Sequence, residues 1–212
     1  MTRPVASRAV ALAGGIAVLL LAIASPAAHL DHHLLTAHMA QHLLLMLVAA
    51  PLILLGARPT TLPQPPIVVC WLAGSLTVIF WHIPAIFELA IESRLWHGFE
   101  QASFVVAGIL FWRPVIDSSS WSAPIYLFLA TLPCDVLSGF LVFCGRVVYQ
   151  PYLSGQAGTF GLSPLDDQAL AGALMWVAVT FAYLIPALVL MARLVAGERS
   201  HPVQRSHEMG VS

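Results

Sequence analysis

The sequence predicts an all-α, polytopic integral membrane bundle of about six transmembrane helices, with N-terminus and C-terminus cytoplasmic. Hydrophobic residues make up 59% of the 212-residue chain and charged residues only 9%. A soluble domain carries about a quarter charged residues, so this chain lacks the polar groups to coat a water-exposed globule. Several stretches run roughly 20 residues without a charge, the length that crosses ~30 Å of hydrocarbon as helix. The breaks between them are rich in Pro, Gly and Ser, as connections should be.

Read in order, the spans fall near 9–28, 35–56, 67–90, 95–113, 123–145 and 167–192, forming a single domain over 1–195. Residues 196–212 read as a disordered cytoplasmic tail. The first span follows Arg3 and Arg8, and "SPAAHL" offers small residues for cleavage after Ala27. A signal peptide looks similar, but the apolar run is long for one, which favours a retained helix. The second span opens on "HMAQH" at 38–42. "ARPTTLPQPP" (57–66) leads to the third, "PVIDSSSWS" (114–122) separates the fourth from the fifth, and the long 146–167 connection precedes the sixth. Trp71, Trp81, Trp96, Trp112 and Trp121 read as interfacial anchors.

The basic residues set the orientation. All nine are Arg. With the N-terminus inside, Arg3, Arg8, Arg58, Arg113, Arg193, Arg199 and Arg205 are cytoplasmic and only Arg94 and Arg146 lie outside, as the positive-inside rule requires. In that frame seven of the nine histidines collect at the outer side: His29, His32, His33, His38, His42, His82 and His97. A generic bundle has no need of such segregation. His201 and His207, in the tail, stand apart.

Residues four apart on a helix share a face. His38 and His42 therefore point together, with Met46 one turn deeper. His97 and Glu100 share a face of the fourth span, with Gln101 beside them; Gln168 and Met175 share one on the sixth. Imidazole and thioether donors suit copper, and imidazole alone also suits zinc or haem iron. The loop "HLDHH" (29–33) reads as a solvated loop or an adventitious divalent-cation site. Asp135, beside Pro133, is an intramembrane carboxylate and a functional residue by default. Cys70, Cys134 and Cys144 read as apolar fillers; the last two are ~15 Å apart along one helix and cannot form a disulfide within it. No P-loop, GxSxG or HExxH motif is present, so the chain does not read as an enzyme, and a net charge of −1 argues against a nucleic-acid partner.

Five blocks, "HMAQHLLLMLVAAPLILLGARP" (38–59), "FWHIPAIFELAIES" (80–93), "LWHGFEQASFVVAGILFWRPV" (95–115), "YQPYL" (149–153) and "LDDQALAGALMWV" (165–177), resemble the bacterial CtaG family, assembly factors of caa3-type cytochrome c oxidases. The family's His-x-x-x-His matches His38 and His42. Its Trp-His-x-Pro matches Trp81, His82 and Pro84, and its next histidine matches His97. Its Asp-Gln before Gly-x-x-Met-Trp matches Asp167, Gln168, Gly172, Met175 and Trp176. Gln101 stands where many members carry a second histidine. The resemblance implies a multi-pass protein of the cytoplasmic membrane that helps build the oxidase, with oxidase subunits as partners and copper supplied from the extracytoplasmic side.

Residues and resemblance together give one expectation: copper, as Cu(I), held by His38, His42, His82 and His97. Met46, Met175 and Glu100 are additional ligand candidates, and Asp167, Gln168 and Gln101 are supporting groups. Two alternatives stay open: a b-type haem protein with axial histidines such as His42 and His82, and a metal-free scaffold for oxidase subunits.

Overall fold

A computed structural model describes residues 5–57, 65–117, 120–153 and 161–200. Among them the chain forms helices and no strands. Residues 1–4, 58–64, 118–119, 154–160 and 201–212 lie outside the described residues; of the tail expected over 196–212, residues 196–200 instead continue the last helix. Five helices are long and apolar enough to span a bilayer, and a bent pair makes a sixth. They are α1 (Val5–Ala24), α2 continuing into α3 (Leu35–Leu43 and Ala50–Ala57), the bent pair α4 (Ile67–Trp81) and α5 (Pro84–Glu92), α6 (Arg94–Asp117), α7 (Ser122–Phe143) and α8 (Pro164–Ser200). The six expected spans are all present, as an all-α membrane bundle.

Large apolar side chains such as Val136, Phe143, Phe181 and Leu188 point outward, where hydrocarbon receives them. Lipid is as apolar as the side chains it meets, so burial of apolar surface does not drive helix association here; close packing and hydrogen bonds do. Gly15 and Gly56 provide the first. A Cβ on Gly15 would lie 2.8 Å from the Ile53 amide, and one on Gly56 would lie 2.6 Å from the Leu12 amide. So α1 lies directly on α3, and Gln41 ties its far end to α2 by donating to the Ala22 carbonyl at 2.8 Å. At the opposite end Arg8 donates to the Gly56 and Ala57 carbonyls, each at 3.4 Å, where a helix C-terminus favours a cation.

The second span has an irregularity that the four-residue spacing of His38, His42 and Met46 does not signal. Leu44–Ala49 form a π turn between α2 and α3, and such turns loosen the regular carbonyl pairing. The Met46 carbonyl accepts from the Trp112 indole at 3.0 Å. Gly108 lets α6 come this close, since a Cβ there would sit 2.7 Å from that of Ala50. Trp112 and Trp81 therefore depart from the interfacial role expected of them. Both are buried, and Trp81 donates to Ser103 Oγ at 2.7 Å.

The third span is corrected as well. It is not one helix over 67–90 but two, meeting at 76°. Pro84 has no amide hydrogen to continue α4, and its ring excludes the preceding residue from helical geometry. Ile83 is accordingly extended, with φ −66° and ψ 122°, and His82 is left as the last residue before the bend.

The end of the bundle that carries the histidines is pinned by two side chains of α8. Asp167 caps α2: Oδ2 accepts from the Leu35 amide at 2.7 Å, and Oδ1 from the Thr36 amide at 3.1 Å and its hydroxyl at 2.6 Å. An anion at a helix N-terminus satisfies amides that have no partner within the helix. Gln168 accepts from the Val148 amide at 2.7 Å and donates to the Leu141 and Arg146 carbonyls at 3.2 and 2.9 Å, fixing the chain that leaves α7. Asp167→Ala is expected to destabilise the protein by about 2–3 kcal/mol, the range for a buried charged cap. Thermal unfolding in detergent measures it, and an unchanged midpoint would show that the cap contributes nothing.

Candidate metal centre

Asp31, His38, His42, His82, His97 and Glu100 come from the connection after α1, from α2, from the residue that ends α4 at its bend, and from the first turns of α6. These are neighbouring ends of the bundle, so residues distant in sequence meet. At the centre is Glu100, with no exposed surface. Its Oε1 lies 3.4 Å from Nε2 of both His38 and His42. Its Oε2 lies 3.3 Å from His97 Nδ1.

Aromatic packing aims these rings. Phe104 stacks on His42 with centroids 4.0 Å apart and planes 20° apart. Phe87 lies 4.8 Å from His38, and the two imidazoles meet edge to face at 4.3 Å. Both nitrogens of His38, both of His42 and both Glu100 oxygens are buried without a hydrogen-bond partner among the described residues. Buried polar atoms are normally paired, and here six unpaired ones lie together. His38, His42 and Glu100 each present a donor atom, all within 4.8 Å of one another. That is room for one ion.

A second group adjoins the first on its more open side. Asp31, His32 and His97 also bring donor atoms within 4.8 Å of one another. His97 joins the groups, with Nδ1 toward Glu100 and Nε2 3.1 Å from Asp31 Oδ2. The Gln101 amide nitrogen approaches that same Nε2 at 2.7 Å. Burial raises the Asp31 carboxyl, but the His97 hydrogen bond and the charge of His32 outweigh it and hold the group below its ordinary range. Burial lowers the His32 ring's pKa against the pull of Asp31.

Asp31 is held by its own short helix, Pro26–His32, which Ser25 caps by accepting from the Ala28 amide at 3.2 Å. The connection after α7 then folds back over the site. Tyr152 donates to the Asp31 carbonyl, Tyr149 donates to the His82 carbonyl at 3.1 Å, and the Tyr149 ring lies 4.1 Å from that of Phe87.

Each residue expected from the sequence thus has a definite place. His38, His42 and Glu100 form the inner group, with His97 and Gln101 at its edge. His82 stands on the far side of His42, with ring centroids 6.3 Å apart, and Met46 and Met175 line a cavity of about 40 Å³ beside both. Asp167 and Gln168 bond to backbone, so they hold the ligand-bearing helices rather than the imidazoles themselves. Asp135 lies on α7 and joins neither group. Asp31, His32, Phe87, Phe104, Tyr149 and Tyr152 were missing from the expected site; the HLDHH and YQPYL stretches were visible, but not their folding over it.

These features define a polytopic membrane protein built around a buried histidine–carboxylate cluster at one end of its helices. The family model described as cytochrome c oxidase caa3 assembly factor (CtaG) matches residues 2–196, and the chain belongs to that family. The resemblance read from five sequence blocks therefore holds over nearly the whole chain. No curated protein and no solved structure matches it.

A protonated His97 would form an ion pair with Glu100, 3.3 Å away, and removing one partner of a buried ion pair costs about 3–5 kcal/mol. Glu100→Gln, which keeps the shape and loses the charge, is expected to lower the unfolding midpoint of the metal-free protein clearly. A midpoint within error of wild type would show that the imidazoles do not depend on this carboxylate.

Proposed function

We propose that this protein serves cytochrome c oxidase assembly in the cytoplasmic membrane by holding copper at the His38–His42–Glu100 group. His97 lies at its margin, and the centre sits near the extracytoplasmic face given by the arginine distribution. The observation that carries this reading is the set of buried, unpaired nitrogens and carboxylate oxygens converging within one ion's reach. Imidazole nitrogen is a natural donor to copper and zinc, and a cation here would offset the Glu100 charge in a low-dielectric interior. The partly exposed Asp31–His32–His97 group would receive the ion first, and His97, facing both carboxylates, would stand between the two positions. The role is one of binding and transfer to an oxidase subunit, not catalysis. The cavity beside His42 and His82, about 40 Å³, has the scale of an ion with a little water, which favours an ion over a haem macrocycle.

One observation favours a second reading, a metal-free scaffold. The two nitrogens of His97 each face a carboxylate, at 3.1 and 3.3 Å. A protonated His97, with the Gln101 amide turned to present its oxygen, would neutralise part of the cluster without an ion.

Copper loading separates the two. Detergent-purified wild-type protein is expected to retain copper after desalting, and His38→Ala/His42→Ala to lose the copper held by this group. Bound ion at 100 times its Kd would stabilise the wild type by about 2.7 kcal/mol, read as a rise in midpoint absent from the double variant. Equal copper content in the two proteins would refute the assignment. Normal oxidase assembly with all four histidines replaced by Asn or Gln would favour the scaffold.

A further inference from the structure

His82 makes a contact that packing alone does not explain. Its Nδ1 lies 2.7 Å from the Val78 carbonyl oxygen. A carbonyl only accepts, so the ring proton of a neutral His82 sits on Nδ1 and Nε2 presents a lone pair. That Nε2 lies 3.2 Å from Sδ of Met39, and a thioether has lone pairs and no proton to give. Both residues are buried, His82 at 6% and Met39 at 1% exposure. Two electron-pair donors therefore face each other with no hydrogen between them. A doubly protonated ring would supply one, but it would set a buried charge against a thioether.

A cation would resolve the contact. Ligand bonds of roughly 2.0 Å to nitrogen and 2.3 Å to sulfur, the zinc values, close a triangle over a 3.2 Å separation with roughly a right angle at the ion. The cavity beside these atoms is lined also by Met46, Cys134, Met175 and His42. Three of the chain's six methionines thus meet at one small space, and no carboxylate lines it. Uncharged sulfur and imidazole donors select a soft ion. An apolar wall without an anion favours a single positive charge over a double one. The geometry points to a second metal site, specific for a soft monovalent ion of the Cu(I) class, formed by His82 Nε2 and Met39 Sδ, with the cavity sulfurs beside them.

The two sites differ in chemistry and share a wall. His42 contributes to the carboxylate–imidazole group through Nε2, 3.4 Å from Glu100, and its ring also lines the cavity. An ion leaving Glu100 for the sulfur side moves from a harder to a softer environment past one imidazole. This step rests on the copper reading above; the soft site itself does not, since Ag(I), a redox-inert ion of the same class, probes it alone.

Met39→Leu removes the sulfur while nearly keeping the volume, a substitution that packed interiors tolerate well. The experiment is anaerobic titration of the detergent-purified full chain with Cu(I) and with Ag(I) against a competing chelator. X-ray absorption at the copper edge counts the sulfur ligands. Wild type is expected to bind both ions with sulfur in the coordination shell. Met39→Leu should weaken Ag(I) binding by about 10- to 100-fold, the scale seen when a metal site loses support, and should cut the sulfur signal while keeping copper on nitrogen and oxygen. Glu100→Gln should do the reverse, keeping Ag(I) and the sulfur signal. Unaltered Ag(I) affinity and sulfur shell in Met39→Leu would overturn the soft site whatever the outcome at Glu100. Loss of nitrogen- and oxygen-bound copper alone would leave it standing.

Discussion

A carboxylate with no exposed surface lies among three imidazoles at the end of a helical bundle surrounded by hydrocarbon. Isolated, such a charge would cost several kcal/mol, and the remaining architecture is arranged around meeting that cost. Glu100 is contacted through both oxygens, by His38 and His42 on one side and His97 on the other. The contacts are 3.3–3.4 Å long, and seven nitrogen and oxygen atoms of these four side chains have no hydrogen-bond partner among the described residues. A positive centre among these atoms, whether a protonated His97 or a bound cation, would offset the carboxylate's charge.

The scaffold spends its own polar groups on position. Asp167 holds the start of α2 from 132 residues away, and Gln168 beside it fixes the exit from α7. Trp112 takes a carbonyl of the π turn, so α2 can carry the histidines while α3 keeps its close fit to α1. Pro84 ends α4 at His82 and so turns one imidazole away from the carboxylate and toward Met39. Two of these devices are backbone irregularities, and in lipid an irregularity persists only where protein supplies the missing partner.

Much of this was legible in the sequence. The spans follow from uncharged length, and the one-sided collection of His38, His42, His82 and His97 from arginine orientation; that His38, His42 and His97 meet around Glu100 while His82 turns to Met39 is seen only in three dimensions. Other features needed coordinates, for identifiable reasons. A π turn adds no distinctive residue to an apolar run. The Trp-His-x-Pro block shows a proline, but the sequence does not reveal whether it kinks a span or divides it. Asp31 and His32 look like a solvated loop because nothing local announces that Tyr152, some 120 residues later, will close over them. Trp81 and Trp112 resemble interfacial anchors because only tertiary contact gives their indole nitrogens buried acceptors. Met39 reads as filler, one position from a histidine it does not face.

Membership of the caa3 oxidase assembly family gives the cluster a biological setting, and its imidazole and carboxylate donors are of the kind that suit a metal ion. The central claim is that Glu100 and its imidazoles form a metal centre. Native mass spectrometry of copper-loaded protein, wild type beside Glu100→Gln, counts the ions directly. The account requires the variant to carry one copper fewer while remaining folded. The same copper count in both proteins, or none in the wild type, would contradict it.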